Sequence, residues 1–310
     1  MASLAPHAQA LGSGPESLLE VARLVATEGK LPDPAITQAA RAAAPALESV
    51  SPDRLRAGVE SVIMSRGLDV GLQWMHDSGM LATVLPELEA TVDFSQEAGR
   101  RHKDVWEHTK LVVRQSVPTP AVRWAALLHD IGKVPTRVLL PDGRVTFHRH
   151  AEIGARMFDP IAKRFAFDRP LRQKIRFLIL NHLRANAYER SWTDAAVRRF
   201  DHEMAGDLED LLHLSRADVT SRRPGRRQEA VANIHALMER IIAIRELDAR
   251  IPPLPPGLGN AIMEAFALPP SRRVGDIRKL CQDAVERGEL EERRDSGYYV
   301  DYLRRTGITG

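Results

Sequence analysis

Apolar residues recur three and four positions apart along nearly every long segment of the chain, which is the period of an amphipathic helix. In SLLEVARLVATEGK, Leu18, Val21, Ala22 and Val25 share one helical face, and the following LPDPAIT supplies breakers before a helix through Ile36, Ala40 and Ala44. SPDRLRAGVESVIMS opens with Ser51 as N-cap, Pro52 at the first helical position and Asp53 beside the positive end of the helix dipole. DVGLQWMHDSGMLATVLPELEA predicts a helix, a break at Gly79 and a short apolar helix ended by Pro86. An apolar helix from Ala121 to Leu128 follows SVPTP, and further helices cover HAEIGARMFDPIAKRF, PLRQKIRFLILNHL, TDAAVRRFDHEM and DLEDLLHLSRADVT. After the loop SRRPGRR, a long helix carries Ala232 to Leu247, and the tail adds helices near Ile262 to Phe266 and Val274 to Arg287 before a Tyr-rich end. The strand signal is confined to RVLLPDGRVTF, where Asp142 and Gly143 fit a type I′ hairpin turn. The expected fold is all-α with one small β-hairpin.

Composition narrows the class. With 310 residues and 44% hydrophobic content, the chain is long enough to bury its own core. The single cysteine, Cys281, excludes an intramolecular disulfide and a cysteine-rich zinc site, and fits a reducing compartment. The N-terminus lacks a basic stretch followed by an apolar core, and no uncharged apolar run reaches the roughly 20 residues of a membrane span, so a cytoplasmic protein is expected. IPPLPPGLG reads as a linker between subdomains. Net charge is +3, but residues 96–230 carry 26 Lys and Arg against 17 Asp and Glu, a balance of +9 that leaves −6 for the remainder. A phosphorylated or polyanionic partner, nucleotide or RNA, is steered to that half.

The basic half also holds the candidate chemistry: His108, the pair His129 and Asp130, His150, His182 and Asp218. Imidazole and carboxylate donors without thiolate suit one or two divalent ions of Mn, Ni, Co, Mg, Fe or Zn. No single residue carries the inference, because each arrives from a separate segment and a second His-Asp pair, His76 and Asp77, has no further ligands around it. His129 and Asp130 end the apolar stretch WAALL, His182 ends RFLILNH, and Asp218 interrupts an apolar helix. Polar groups at such positions need a partner, which a shared cation supplies. Lys133, just past the pair, is placed to stabilise negative charge in a transition state, and Arg222, Arg223, Arg226 and Arg227 are placed to bind phosphate.

HTKLVVRQS, LLHDIGKVPT, HAEIGARM and SRADVTSR resemble the HD phosphohydrolase domain of bacterial tRNA nucleotidyltransferases and related poly(A) polymerase-like proteins. The similarity extends to SPDRLRAGVESVIMSRGLDVGLQWMHDSGMLATVLPEL, which looks like the helices preceding that domain, and to PPGLGNAIMEAFALPPSRRVGDIRKLCQDAVERGEL, which looks like the tail. It implies a helical neck-like domain at 1–98, an HD metal-dependent phosphohydrolase domain at 99–248 and a helical tail at 249–310. It also implies a phosphodiesterase or phosphatase acting on 2′,3′-cyclic phosphates, 2′-nucleotides or simple phosphoesters, with RNA such as a tRNA 3′ end as partner. His108, His129, Asp130 and Asp218 are then expected at a first metal, with Asp130 bridging to a second at His150 and His182. Such enzymes carry a nucleotidyltransferase head before these helices, and residues 1–16 are too few to replace it, so nucleotide addition by this chain alone is not expected. Two alternatives remain: an RNA-binding body serving a separate nucleotidyltransferase head, and a di-iron oxygenase of the HD type.

Overall fold

The computed structural model describes residues 10, 12, 14–94, 104–221 and 223–307. Among them the regular structure is helical apart from one two-stranded antiparallel hairpin. The chain divides by contact into two units, residues 1–187 with 209–231, and residues 188–208 with 232–310. The division read along the sequence, at 98 and 248, is kept as a proposal; its first boundary falls on residues 95–103, outside the described residues.

The first unit opens with α1 (Ser17–Glu28), α2 (Pro34–Ala43), a 3-10 turn (Ala44–Ser49), α3 (Pro52–Ile63), α4 (Leu68–Asp77), α5 (Met80–Val84) and α6 (Pro86–Glu89). The apolar stripe of α1 is buried as its spacing predicts, and the helix stops at Gly29, whose left-handed backbone lets its N–H reach the Val25 carbonyl. α1 packs on α4 closely enough that a Cβ at Gly71 would meet the Ala26 Cβ at 2.5 Å. Ser51 holds the N-cap position of α3, but its side chain makes no capping bond. Asp104, Asp168 and Thr193 do cap their helices, accepting from the N–H groups of Glu107, Leu171 and Ala196.

The second half of this unit comprises α7 (Val105–Gln115), α8 (Pro120–Leu128), α9 (Lys133–Thr136), β1 (Val138–Leu139), β2 (Val145–Thr146), α10 (His150–Arg164), α11 (Arg169–Asn181) and α13 (Leu208–Asp218), the last assigned here from Glu209. Every residue from Ala121 to Leu128 is buried, because α8 is enclosed by α3, α7 and α11. Trp124 anchors it, with Phe165 and Phe167 edge-on at 5.4 and 5.1 Å and its indole N–H donating to Glu60 at 3.0 Å. The hairpin pairs Val138 with Thr146 and Leu139 with Val145. Its turn is not type I′: Gly143 has φ 81°, Asp142 is not in the left-handed region, and the Gly143 N–H donates to the Leu140 carbonyl at 2.9 Å. Pro141, with φ fixed near −65°, selects a type I turn closed by a left-handed glycine.

The second unit contains α12 (Asp194–Glu203), α14 (Pro224–Arg250) from Ala232 onward, α15 (Leu258–Phe266), α16 (Arg272–Glu286) and α17 (Ser296–Arg305). Leu258, Ile262, Ile277, Cys281, Tyr299 and Leu303 form its core, and burial pushes the Cys281 thiol up to about 11. The Tyr-rich end is the capped helix α17, with Asp295 accepting from the Tyr298 N–H. IPPLPPGLG follows the long helix α14. It lies within this unit, with Leu254 buried and the Pro253 carbonyl accepting from the Arg293 N–H at 2.7 Å. No helix among the described residues is long and apolar enough to cross a membrane.

Candidate metal centre

Five helices of the first unit deliver the six side chains. His108 lies on α7, His129 caps the C-terminus of α8 with Asp130 directly after it, His150 begins α10, His182 caps the C-terminus of α11, and Asp218 ends α13. α8, α11 and α13 therefore all point C-termini at one place, and the partial negative charge of those ends favours a cation.

The histidines are oriented by the same helix ends. His129 Nδ1 meets the Ala126 carbonyl at 2.8 Å, His182 Nδ1 the Ile179 carbonyl at 2.7 Å and His150 Nδ1 the Phe147 carbonyl at 2.9 Å, each three residues back. A carbonyl only accepts, so each Nδ1 carries the proton and each Nε2 turns a lone pair inward. For α8 and α11 the acceptors are terminal carbonyls that lack helical donors, so the imidazole completes the helix end as it is fixed.

The six donors fall into two groups joined by one carboxylate. His108, His129 and Asp218 offer donor atoms within 4.8 Å of one another, and Asp130, His150 and His182 do the same. Asp130 Oδ2 lies 3.3 Å from His108 Nε2 and 3.2 Å from His129 Nε2. Its Oδ1 lies 3.6 Å from His150 Nε2 and 4.0 Å from His182 Nε2. Asp218 Oδ1 is 3.0 Å from His108 Nε2, and the Nε2 pairs His108–His129 and His150–His182 are 3.2 and 3.3 Å apart. Bonds of about 2.0–2.2 Å at tetrahedral or octahedral angles place neighbouring donors about 3–3.5 Å apart, so most of these spacings suit divalent ions. The donor set fits.

The electrostatics ask for positive charge. Burial disfavours the His129 imidazolium, yet Asp130 and Asp218 outweigh it and raise His129 to about 10. Burial also opposes ionisation of Asp130 and Asp218, but the positive charge and hydrogen bonds around them hold both below the usual carboxylate range. On the other side, burial and the His129 charge push His182 down to about 4, and burial lowers His150. Without metal, a proton on His129 answers the demand at the first group, while burial favours neutral imidazoles at His150 and His182. Lys133 adds a fixed cation, its Nζ 2.6 Å from Asp130 Oδ2 and 5.7 Å from the centre of the Phe147 ring.

Of the predicted phosphate contacts, Arg223, Arg226 and Arg227 are exposed, and Arg222 lies outside the described residues. The segment is less of a loop than SRRPGRR suggests: Pro224, favourable at a first helical position, starts α14, so Arg226 and Arg227 are helical. His76 serves structure, its Nδ1 on Glu89 at 2.9 Å. Sequence reasoning missed Thr220, whose Oγ1 lies 2.9 Å from His108 Nδ1, and Gln115, which bonds both Ala217 and Arg227. Polar side chains on α7 and just past Asp218 were the available hint.

Residues 100–241 match the HD domain family, and residues 32–91 match the family described as probable RNA and SrmB-binding site of polymerase A. The chain is 30% identical over 302 residues to an A-adding tRNA nucleotidyltransferase from Deinococcus radiodurans, covering 94% of this chain and 68% of that protein. It belongs to the tRNA nucleotidyltransferase family. A CC-adding tRNA nucleotidyltransferase from Thermus thermophilus is 29% identical across 81% of this chain and 57% of its own length. A multifunctional CCA protein from Pseudomonas paraeruginosa is 30% identical over 144 residues, which is 34% of that protein. Within the family, the chain thus corresponds to the HD-containing helical body, and the two groups joined by Asp130 lie inside the HD match.

Proposed function

We propose that the chain is a metal-dependent phosphohydrolase that cleaves phosphoester bonds of RNA ends or nucleotides, of the 2′,3′-cyclic phosphodiesterase, 2′-nucleotidase or phosphatase type. The observation that carries the reading is the Asp130 carboxylate, which turns one oxygen to each donor group. His108, His129 and Asp218 would hold one divalent ion and His150 and His182 a second, with Asp130 offering a carboxylate oxygen to each group. Bound divalent ions supply Lewis acidity to phosphoryl oxygens and lower the pKa of water at the site.

The chain's own groups do the rest. Asp130 stays ionised because His129 and Lys133 flank it in a buried site. The carbonyls of Ala126, Phe147 and Ile179 keep three imidazoles in the donor-inward tautomer, so little reorganisation is needed when a phosphate arrives. Lys133 balances negative charge growing on the phosphoryl oxygens, and Arg222, Arg223, Arg226 and Arg227 draw in the rest of a polyanion. The match of residues 32–91 to an RNA-binding family supports RNA as the larger partner and also favours the second reading, an RNA-binding body that serves a nucleotidyltransferase head.

One substrate panel separates the readings. Chelated protein reloaded with Mn²⁺ is offered 2′,3′-cyclic nucleotides, 2′- and 3′-mononucleotides, RNA ends and a generic phosphodiester. Metal-dependent cleavage of at least one class is expected. RNA binding that survives chelation, with no class cleaved, would replace hydrolysis by the binding role.

A further inference from the structure

Two cations and two aromatic rings alternate outward from the donor groups. Lys133 Nζ lies 2.6 Å from Asp130 Oδ2 and 5.7 Å from the centre of the Phe147 ring. The Phe147 and Phe94 ring centres are 6.3 Å apart, and the Arg137 guanidinium carbon lies 5.3 Å from the centre of the Phe94 ring. The hairpin register accounts for part of this grouping: Val138 pairs with Thr146, so Arg137 and Phe147 flank that pair on opposite strands at the open end of the hairpin. The Phe147 carbonyl accepts from His150 Nδ1, which ties residue 147 to the second donor group.

Packing alone does not call for this row. Phe158 and Phe165, which serve the core of the same unit, are 0% exposed, whereas Phe94 and Phe147 are only half-buried and Arg137 is exposed. The charge around the rings is also one-sided. From Lys133 to Arg149 the one acid is Asp142, and Arg144 takes it at 2.7 Å. Among the described residues neither Arg137 nor Arg149 has a carboxylate partner. A single nucleic-acid strand alternates phosphates with flat bases, and cations interleaved with aromatic rings are the complement of that alternation. Bases in a duplex are stacked on one another and do not reach such rings.

We propose that Lys133, Phe147, Phe94 and Arg137 form a track for single-stranded RNA leading away from the metal centre, with one base stacked on Phe147 and a phosphate further along the strand bonded by Arg137. The inference rests on the phosphohydrolase reading of that centre and narrows its substrates to strand ends, ahead of mononucleotides and small phosphoesters. Lys133 stands where the track meets the centre, beside both Asp130 and the Phe147 ring. A guanidinium over a ring still presents its N–H edge to phosphate, so the contact of Arg137 with Phe94 is compatible with its role. Stacking is tolerant of base identity, so the track selects for an unpaired strand and not for a sequence.

Fluorescence anisotropy on the full chain, loaded with Mn²⁺, tests the track with labelled probes: a 2′-O-methyl oligoadenylate, an abasic strand with the same number of phosphates, and a duplex of the same length. Wild type should bind the oligoadenylate at least roughly 5-fold more tightly than the abasic strand. Phe147→Leu should remove that preference, Phe147→Tyr, which keeps a ring, should retain it, and neither should alter duplex binding. Arg137→Gln should weaken the oligoadenylate and the abasic strand alike and flatten the slope of log affinity against log salt by about 0.7. No preference for bases in wild type, a preference that survives Phe147→Leu, or an unchanged salt slope in Arg137→Gln would overturn the track. Cleavage of a panel substrate by a chain without base preference would overturn the track alone. A base preference that Phe147→Leu removes, in a chain that cleaves no member of the panel, would overturn the hydrolytic reading and leave a strand-binding site.

Discussion

Replacing Gly132 by Ala should cost stability and one metal site, although Gly132 has an ordinary helical backbone. A Cβ there would lie 2.1 Å from the His150 carbonyl oxygen and 2.6 Å from the Gly154 nitrogen, where ordinary contact begins at 3.4 Å. Both obstacles are main chain of α10, so no rotamer relieves them, and the start of α10 must retreat by about 1 Å. Overpacking of this kind costs about 1–3 kcal/mol, or roughly 2–10 °C in melting temperature for a unit of this size. His150 moves with the carbonyl, and its Nε2, now 3.6 Å from Asp130 Oδ1 and 3.3 Å from His182 Nε2, leaves the second donor group. Gly154→Ala is the control, since its Cβ would meet nothing nearer than 3.5 Å. Thermal melts in chelator and elemental analysis after Mn²⁺ loading read the two effects. Gly132→Ala should melt lower and keep one ion where wild type keeps two, with Gly154→Ala unchanged. A Gly132→Ala protein with wild-type melting and two ions would refute the close-packing argument.

Three further outcomes are expected. Asp130→Ala should lose both ions and Asp218→Ala only the one at its own group, each with wild-type helicity by circular dichroism; full metal content in Asp130→Ala would remove the bridging role. Chelated protein should be most stable near pH 6.5: His182, at about 4, is outcompeted for protons by the unfolded chain as pH falls from about 6.5, whereas His129, at about 10, stabilises fully below about 6.5 and loses that contribution as pH rises to about 10. Each arm should amount to a few kcal/mol at most, and melting temperatures that change in one direction from pH 4 to pH 10 would contradict it. Replacing Arg222, Arg223, Arg226 and Arg227 together by Gln should weaken RNA binding far more than binding of a small phosphodiester and flatten its salt dependence; equal effects on both would make the cluster an ordinary solvated surface.

Helix faces were legible because burial leaves a periodic record: the stripe of α1 and the largely apolar α8 follow from residue type, the buried Arg123 of α8 excepted. His129, Asp130, His182 and Asp218 stood out for the converse reason, polar groups closing or interrupting apolar runs such as WAALL and RFLIL, whereas His108 and His150 carry no such local signal and joined them through the order of the whole set. The acceptors that orient them did not, because a carbonyl at Ala126 or Ile179 has no side-chain signature. Gly132 was visible as a glycine, but its contact with His150 arises only once α10 packs back on the turn after α8. The proline-rich run 251–257 reads either way, since prolines that suit a linker also suit a packed extended segment needing no N–H partner, and Leu254 within it is buried. Pro224 was read as part of a loop, although the same residue is suited to begin a helix.

The central claim is that Asp130 joins two metal sites into one hydrolytic centre. The most direct test is a stoichiometric titration of Mn²⁺ into chelated protein, with cleavage of the best substrate of the panel followed at each addition. Activity should appear with metal, level off at two ions per chain and be absent from Asp130→Ala throughout. Full activity in chelator, or undiminished cleavage by Asp130→Ala, would contradict the account.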